Sequence, residues 1–217
     1  MSKFGVIFDM DGVIVDSNPY HKIAIKQFCK KYGFDLTDQQ LVKNIYGRTN
    51  KEWLTHLMGQ LPEVQIQAYS EEKELAYRQL FKNTITPVKG LIPFLDQLDH
   101  HHIARAIGTS APQSNVVFTL SKTNTSQYFD IILNDTFVIH GKPHPEIYLK
   151  AARALSLPND SCIIIEDSLS GVEAGKASGS KVIGITTTHT REELAQTDLV
   201  IDTFDDLSVA ILEDLVG

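Results

Sequence analysis

Six short apolar runs, rich in β-branched side chains, constrain this chain most. They lie at residues 4–8, 103–108, 131–133, 162–165, 181–185 and 199–201. A short run without polar alternation reads as a strand covered on both faces. The segments between the later runs carry a helical period. Ile147, Ala151, Ala154 and Leu155 recur over residues 146–156, and Val172, Ala174 and Ala177 over 170–178, where Gly179 provides a stop. Strands alternating with helices predict an α/β fold, a parallel sheet with helices on both faces and right-handed crossovers. Ligands of such sheets sit beyond the carboxyl ends of the strands. At 217 residues the chain is long enough to bury its core without disulfides or structural metals.

Residues 18–82 interrupt the pattern. Tyr20, Ile23, Ala24 and Phe28 share one helical face, with Gly33 as a stop. A second helix is predicted over 70–82 from Leu75, Ala76, Gln79 and Leu80, and apolar positions continue across 41–58. The expectation is a helical insertion spanning 17–85, with residues 1–16 and 86–217 forming the sheet domain.

The acidic side chains stand at strand ends. Asp9-Met10-Asp11-Gly12 follows the first run, and Gly12 permits a sharp bend. Glu166-Asp167 follows the run at 162–165. Neighbouring strands ending this way would crowd several carboxylates into one volume, where they raise each other's pKa unless neutralised. A hard divalent cation such as Mg2+ resolves that, because it prefers oxygen ligands and carries substrate phosphates in its shell. Thr109 and Ser110 follow a third run and offer a hydroxyl and backbone N–H groups to phosphate, although Ser110 could equally cap the next helix. Lys142, restrained by Pro143 just before a predicted helix, can reach back to the carboxylates.

The order of these segments resembles the haloacid dehalogenase superfamily. Asp9-Met10-Asp11-Gly12-Val13 looks like its first signature, and Thr109, Lys142-Pro143 and Glu166-Asp167 fall in place for the other three. Within the superfamily the chain is similar to the branch that holds β-phosphoglucomutase and small-molecule phosphatases. The resemblance implies a Rossmann-like core with an inserted helical cap. It also implies that Asp9 is a nucleophile forming an aspartyl-phosphate and that Asp11 is a general acid–base. Thr109, Ser110 and Lys142 would bind the phosphoryl group. Mg2+ would be held by Asp9, the Asp11 carbonyl and Asp167, with Glu166 direct or through water. His21 resembles the mutase histidine that controls the acid–base aspartate. The segment around Gly47 and Arg48 is similar to a substrate-specificity loop; the mutase arginine position is Asn50, which favours a phosphatase over a phosphosugar mutase. A phospho-aspartate sensor without turnover is a third reading, disfavoured by the cap.

The remaining features narrow the class. A net charge of −7 without a basic stripe argues against nucleic acid, and no run approaches the roughly 20 apolar residues of a membrane span. With no apolar leader ahead of Asp9, the expected location is the cytoplasm; the expected partner is a small phosphorylated substrate and the expected state a monomer. Cys29 and Cys162 are too far apart in sequence to suggest a metal or redox pair. His100-His101-His102 reads as a solvated connection, His140 and His144 as loop residues, and Trp53 as core of the insertion. Residues 171–177 fall one residue short of a P-loop and lack its terminal hydroxyl.

Overall fold

The computed structural model describes residues 3–45 and 49–217. In chain order, β1 (Gly5–Phe8) is followed by the helices α1 (Asn18–Lys31), α2 (Asp38–Asn44), α3 (Asn50–Met58) and α4 (Glu63–Phe81). Then come α5 (Leu91–His100), β2 (Ala104–Gly108), α6 (Gln113–Thr123) and β3 (Ile131–Leu133). The last third holds α7 (Glu146–Ala154), β4 (Cys162–Glu166), α8 (Leu169–Ala177), β5 (Lys181–Ile185), β6 (Leu199–Ile201) and α9 (Val209–Val216). The chain divides into two compact units, Met1–Asp16 with Ile85–Gly217, and Ser17–Thr84.

In the first unit the strands form one parallel sheet in the order β3-β2-β1-β4-β5-β6. This is the doubly wound order, in which β1 lies where the connections reverse direction across the sheet. Every residue of β1 and β4 is buried, so both faces are covered. Alternation along the strands separates the two faces. Ile7, Ala106 and Ile164 pack against Ile147, Tyr148, Ala151 and Ala152 of α7 and Ala174 of α8. Phe8 points the other way, into a group of rings. Its centroid lies 6.3 Å from Phe94 of α5, 5.5 Å from Phe129 and 6.2 Å from Phe204. Cys29 and Cys162 are both buried, free thiols.

The second unit is helical and has its own core, with Ile25, Phe28 and Cys29 of α1 against Leu41, Ile45, Trp53, Leu54 and Ile66. The apolar positions over 41–58 belong to two short helices, each opened by a reciprocal capping box, Thr37 with Gln40 for α2 and Thr49 with Glu52 for α3. Two predicted helix faces are corrected. On α1 the buried set is Ala24, Ile25, Phe28 and Cys29, while Ile23 is 44% exposed. α4 starts at Glu63 rather than residue 70, and its buried residues are Ile66, Lys73, Glu74, Tyr77 and Phe81, with Leu75 half exposed. Two charged residues on that face hid its period from an apolar count.

The aromatic cluster around Phe8 gives a test of this core. Truncating a fully buried ring removes its transfer energy and leaves a cavity, so Phe8→Ala is expected to lower the unfolding free energy by about 3–5 kcal/mol in urea titrations. A loss below about 1 kcal/mol would show that the cluster does not anchor the sheet.

Candidate active site

β1 and β4 are neighbours in register, Phe8 opposite Ile165, and the Asp9 N–H donates to the Ile165 carbonyl at 3.0 Å. Asp9 and Glu166 therefore leave the sheet side by side at its carboxyl edge. Beyond Asp9 the chain turns tightly. The Val13 and Ile14 N–H groups donate to the Met10 carbonyl, and the Gly12 N–H donates to that of Val15. Gly12 has φ +81°, and a Cβ there would lie 2.0 Å from Asp167 Oδ2. Glycine is required twice over, by the left-handed backbone and by the approach of the carboxylate. Gly171 plays a related part on α8, where a Cβ would fall 1.7 Å from Glu166 Oε1.

Asp9, Glu166 and Asp167 are all buried, and each brings a carboxylate oxygen within 4.8 Å of the others. Lys142, arriving just ahead of α7, places Nζ 2.6 Å from Asp9 Oδ1 and 2.6 Å from Glu166 Oε1. Glu166 is further held from two sides. Tyr148, fully buried on α7, donates its hydroxyl to Oε1 at 2.7 Å, and its ring centroid lies 4.9 Å from Lys142 Nζ. Glu166 Oε2 accepts the N–H groups of Asp167 and Ser168 and the Ser168 hydroxyl, each at 3.0 Å. Ser168 also caps α8 by accepting the Gly171 N–H.

The electrostatics follow from this wiring. Burial would raise the Glu166 carboxyl, but the Lys142 charge and the surrounding donors hold it below the usual carboxylate range. Burial pushes Asp9 up to about 7; Lys142 pulls it back, while Glu166 and Asp11 push it higher. Asp167 is raised well above its ordinary value by burial and then by the charges of Glu166 and Asp9. The Lys142 ammonium is disfavoured by burial, yet its two carboxylate neighbours outweigh that and raise its pKa. Fully ionised, the three carboxylates would exceed the one ammonium by two negative charges. The oxygen donor set and that excess both fit a divalent cation.

The other strand ends converge on the same edge. Thr109 is buried at the end of β2, its N–H donates to the Leu133 carbonyl, and its hydroxyl accepts the Ala111 N–H at 3.1 Å. Ser110 is exposed and does not cap α6, whose N-cap is Pro112, so the alternative reading of Ser110 as a helix cap is set aside. Asp11 lies in the turn beyond Asp9, bridged to Val15. Three contributors escaped the sequence reading. Tyr148 gave no signal, since an aromatic at helical spacing looks like core. Thr187 and Thr188 lie just past Thr186 at the end of β5, which is the same strand-end signal that singled out Thr109.

In the second unit, His21 and Asn50 meet at Glu74. Asn50 Nδ2 donates to Glu74 Oε1 at 2.8 Å and its Oδ1 accepts from Trp53 Nε1 at 3.0 Å. His21 Nδ1 lies 3.8 Å from Glu74 Oε2, and its ring stacks on Tyr77 at 3.7 Å. Lys73, also buried, is ion-paired with Glu74. Burial raises Glu74, but Lys73, His21 and Asn50 together outweigh it and the carboxyl falls below its usual range. Gly47 and Arg48 lie outside the described residues. His100 and His101 are exposed at the end of α5, as are His140 and His144 in the loop around Lys142.

Comparison with known proteins identifies the family of this chain. The sequence model of the family described as haloacid dehalogenase-like hydrolase matches residues 6–185. The chain is similar to the phosphorylated carbohydrates phosphatase of Thermotoga maritima, 33% identical over 186 residues, covering 83% of this chain and 84% of that protein. It is 28% identical to the β-phosphoglucomutase of Bacillus subtilis, covering 96% of this chain and 93% of that one. Among solved structures it is similar to a family IA, variant 3 hydrolase of the same superfamily from Entamoeba histolytica, with TM-score 0.90, 32% identity and coverage of 98% and 99%.

The crowding of carboxylates has a measurable sign. Asp9 titrates near 7 when folded against an ordinary value of 3.8, so the unfolded chain ionises it first and its charge disfavours the fold. That penalty is absent below about pH 4 and grows as the pH rises toward 7. In a chelator, Asp9→Asn is expected to resist urea better than the unsubstituted protein at pH 8, the gap closing toward pH 4. Equal stability at pH 8 would mean that Asp9 ionises without penalty.

Proposed function

The chain belongs to the haloacid dehalogenase-like hydrolases, and from that membership we propose that it is a Mg2+-dependent phosphatase of small phosphorylated metabolites, sugar phosphates among them. The observation that carries this reading is the Lys142 bridge between Asp9 and Glu166 at the carboxyl end of β1, with Asp167 alongside.

In this reading the Asp9 carboxylate attacks phosphorus as the bond to the leaving oxygen breaks, giving an aspartyl-phosphate. Asp11 gives its proton to that oxygen. Water then attacks phosphorus, Asp11 takes the water's proton, and the Asp9 carboxylate is restored as inorganic phosphate leaves. Lys142 favours the ionised form of Asp9 and faces the transferring oxygens, and the Thr109 hydroxyl and the Ser110 N–H bind them. Asp9, Asp167 and the Asp11 carbonyl would hold Mg2+, which when bound would offset the negative charge of the transferring group. Glu166 already accepts five donors, so its part is to orient Lys142 and to meet the cation at most through water. Residues 17–85 are assigned the task of selecting the substrate, with His21, Gly47, Arg48 and Asn50 as candidate contacts.

A mutase is the second reading, favoured by the near full-length match to the Bacillus subtilis enzyme. Against it, Asn50 takes the place where the mutase carries a clamping arginine, and its amide is committed to Glu74 and Trp53. Lys73 is likewise paired with Glu74. At the Asn50 position a second phosphate would meet a neutral side chain already engaged by its neighbours.

Purified protein is expected to release phosphate from sugar phosphates only with Mg2+ and to stop when the cation is chelated. Asp9→Asn should abolish turnover with the fold intact, and Asp11→Asn should lower kcat by about 10²–10⁴-fold. Near-normal turnover in Asp9→Asn would refute the covalent route. Formation of glucose 6-phosphate from β-glucose 1-phosphate in a coupled assay would select the mutase instead.

A further inference from the structure

β5 runs directly into Thr186, Thr187 and Thr188, and each hydroxyl serves a different segment. Thr186 donates to Asp202 Oδ1 at 2.7 Å, on the side away from the pocket toward β6. Thr187 donates to the Gly12 carbonyl at 2.5 Å. Thr188 donates to Asp167 Oδ2 at 2.5 Å. The same oxygen also lies against Gly12, where a Cβ would come within 2.0 Å of Oδ2 and 2.3 Å of Cγ. The Asp167 carboxylate is thus gripped between a glycine of the loop after β1 and a hydroxyl of the loop after β5, while Thr187 ties those two loops to each other.

We propose that Thr188 is a positioning residue for the divalent cation, fixing the torsion of the Asp167 carboxylate so that it stands ready beside Asp9 and Glu166. The inference rests on reading this pocket as a cation site. Asp167 brings a carboxylate oxygen within 4.8 Å of those of Asp9 and Glu166, and once ionised it is repelled by them, which drives its carboxylate outward. A hydroxyl donor opposes that rotation, and a ligand already in place need not be ordered when the cation arrives. Outer partners of this kind orient carboxylate ligands and tune affinity. The hydroxyl is the active feature, because a valine of the same shape would keep the packing and lose the grip.

The test is Mn2+ binding to the full chain without substrate, followed by electron paramagnetic resonance and calorimetry, for the unsubstituted protein, Thr188→Val, Thr188→Ser and Thr186→Val. Thr188→Val is expected to weaken Mn2+ binding by about tenfold or more. Thr188→Ser, which keeps the hydroxyl, should restore most of the affinity, and Thr186→Val should bind as the unsubstituted protein does. In phosphatase assays the Mg2+ needed for half-maximal activity should rise in Thr188→Val by the same factor, the deficit shrinking as Mg2+ is raised. Should the valine variant fold poorly, Thr188→Ala removes the same donor without added bulk. Unchanged Mn2+ affinity in a folded Thr188→Val or Thr188→Ala overturns the proposal, as does equal weakening in Thr186→Val. Absence of Mn2+ binding by the unsubstituted protein would overturn the cation-site reading and this inference with it, whereas tight binding unaffected by Thr188 would overturn this inference alone.

Discussion

The structure depends on one ammonium serving two buried carboxylates. Lys142 Nζ touches Asp9 and Glu166 at 2.6 Å each, although they belong to different strands and lie far from it in sequence. Removing such charges from water is expensive, and attraction offsets that only where geometry and additional donors are favourable. Glu166 meets the condition, with Tyr148, Ser168 and two backbone N–H groups completing its shell. Asp9 and Asp167 are compensated less, and burial leaves their carboxyls pushed up. A site whose own wiring satisfies one acid fully and leaves two under-compensated is built to receive positive charge.

The sheet brings these groups together by register alone. Parallel neighbours end at the same edge, so Asp9 and Glu166 become adjacent once β1 and β4 pair. That much was legible in the sequence. The six apolar runs became the six strands, each end within one residue of its expected place, because a strand buried on both faces has few other ways to appear. Asp9, Lys142, Glu166 and Asp167 could be singled out because each stands where a strand ends or a helix begins and each carries a charge that nothing local satisfies.

The helical unit was harder to read, for a physical reason. The buried face of α4 includes Lys73 and Glu74, and an amphipathic count scores a buried ion pair as surface. Leu75, taken as core, faces outward as a consequence. The same blindness hid Tyr148 and Thr188. Their contribution is a single hydroxyl directed at a carboxylate more than fifteen residues away, and neither composition nor periodicity encodes a direction.

The charge excess also bears on the order in which ligands can enter. A phosphate monoester brings negative charge of its own to a pocket already holding two more carboxylates than ammoniums. Alone it would be repelled, and its arrival would push Asp9 further toward the protonated, non-nucleophilic form. A divalent cation reverses both effects. In the proposed reading it would cancel the excess, keep Asp9 ionised and leave Lys142 able to face the transferring oxygens. Cation and substrate should therefore bind with positive coupling, each raising the affinity of the other by the same factor. In that reading substrate selection would fall to the helical insertion, because the pocket at the sheet edge would respond to charge and to oxygen geometry rather than to the rest of the molecule that carries the phosphate.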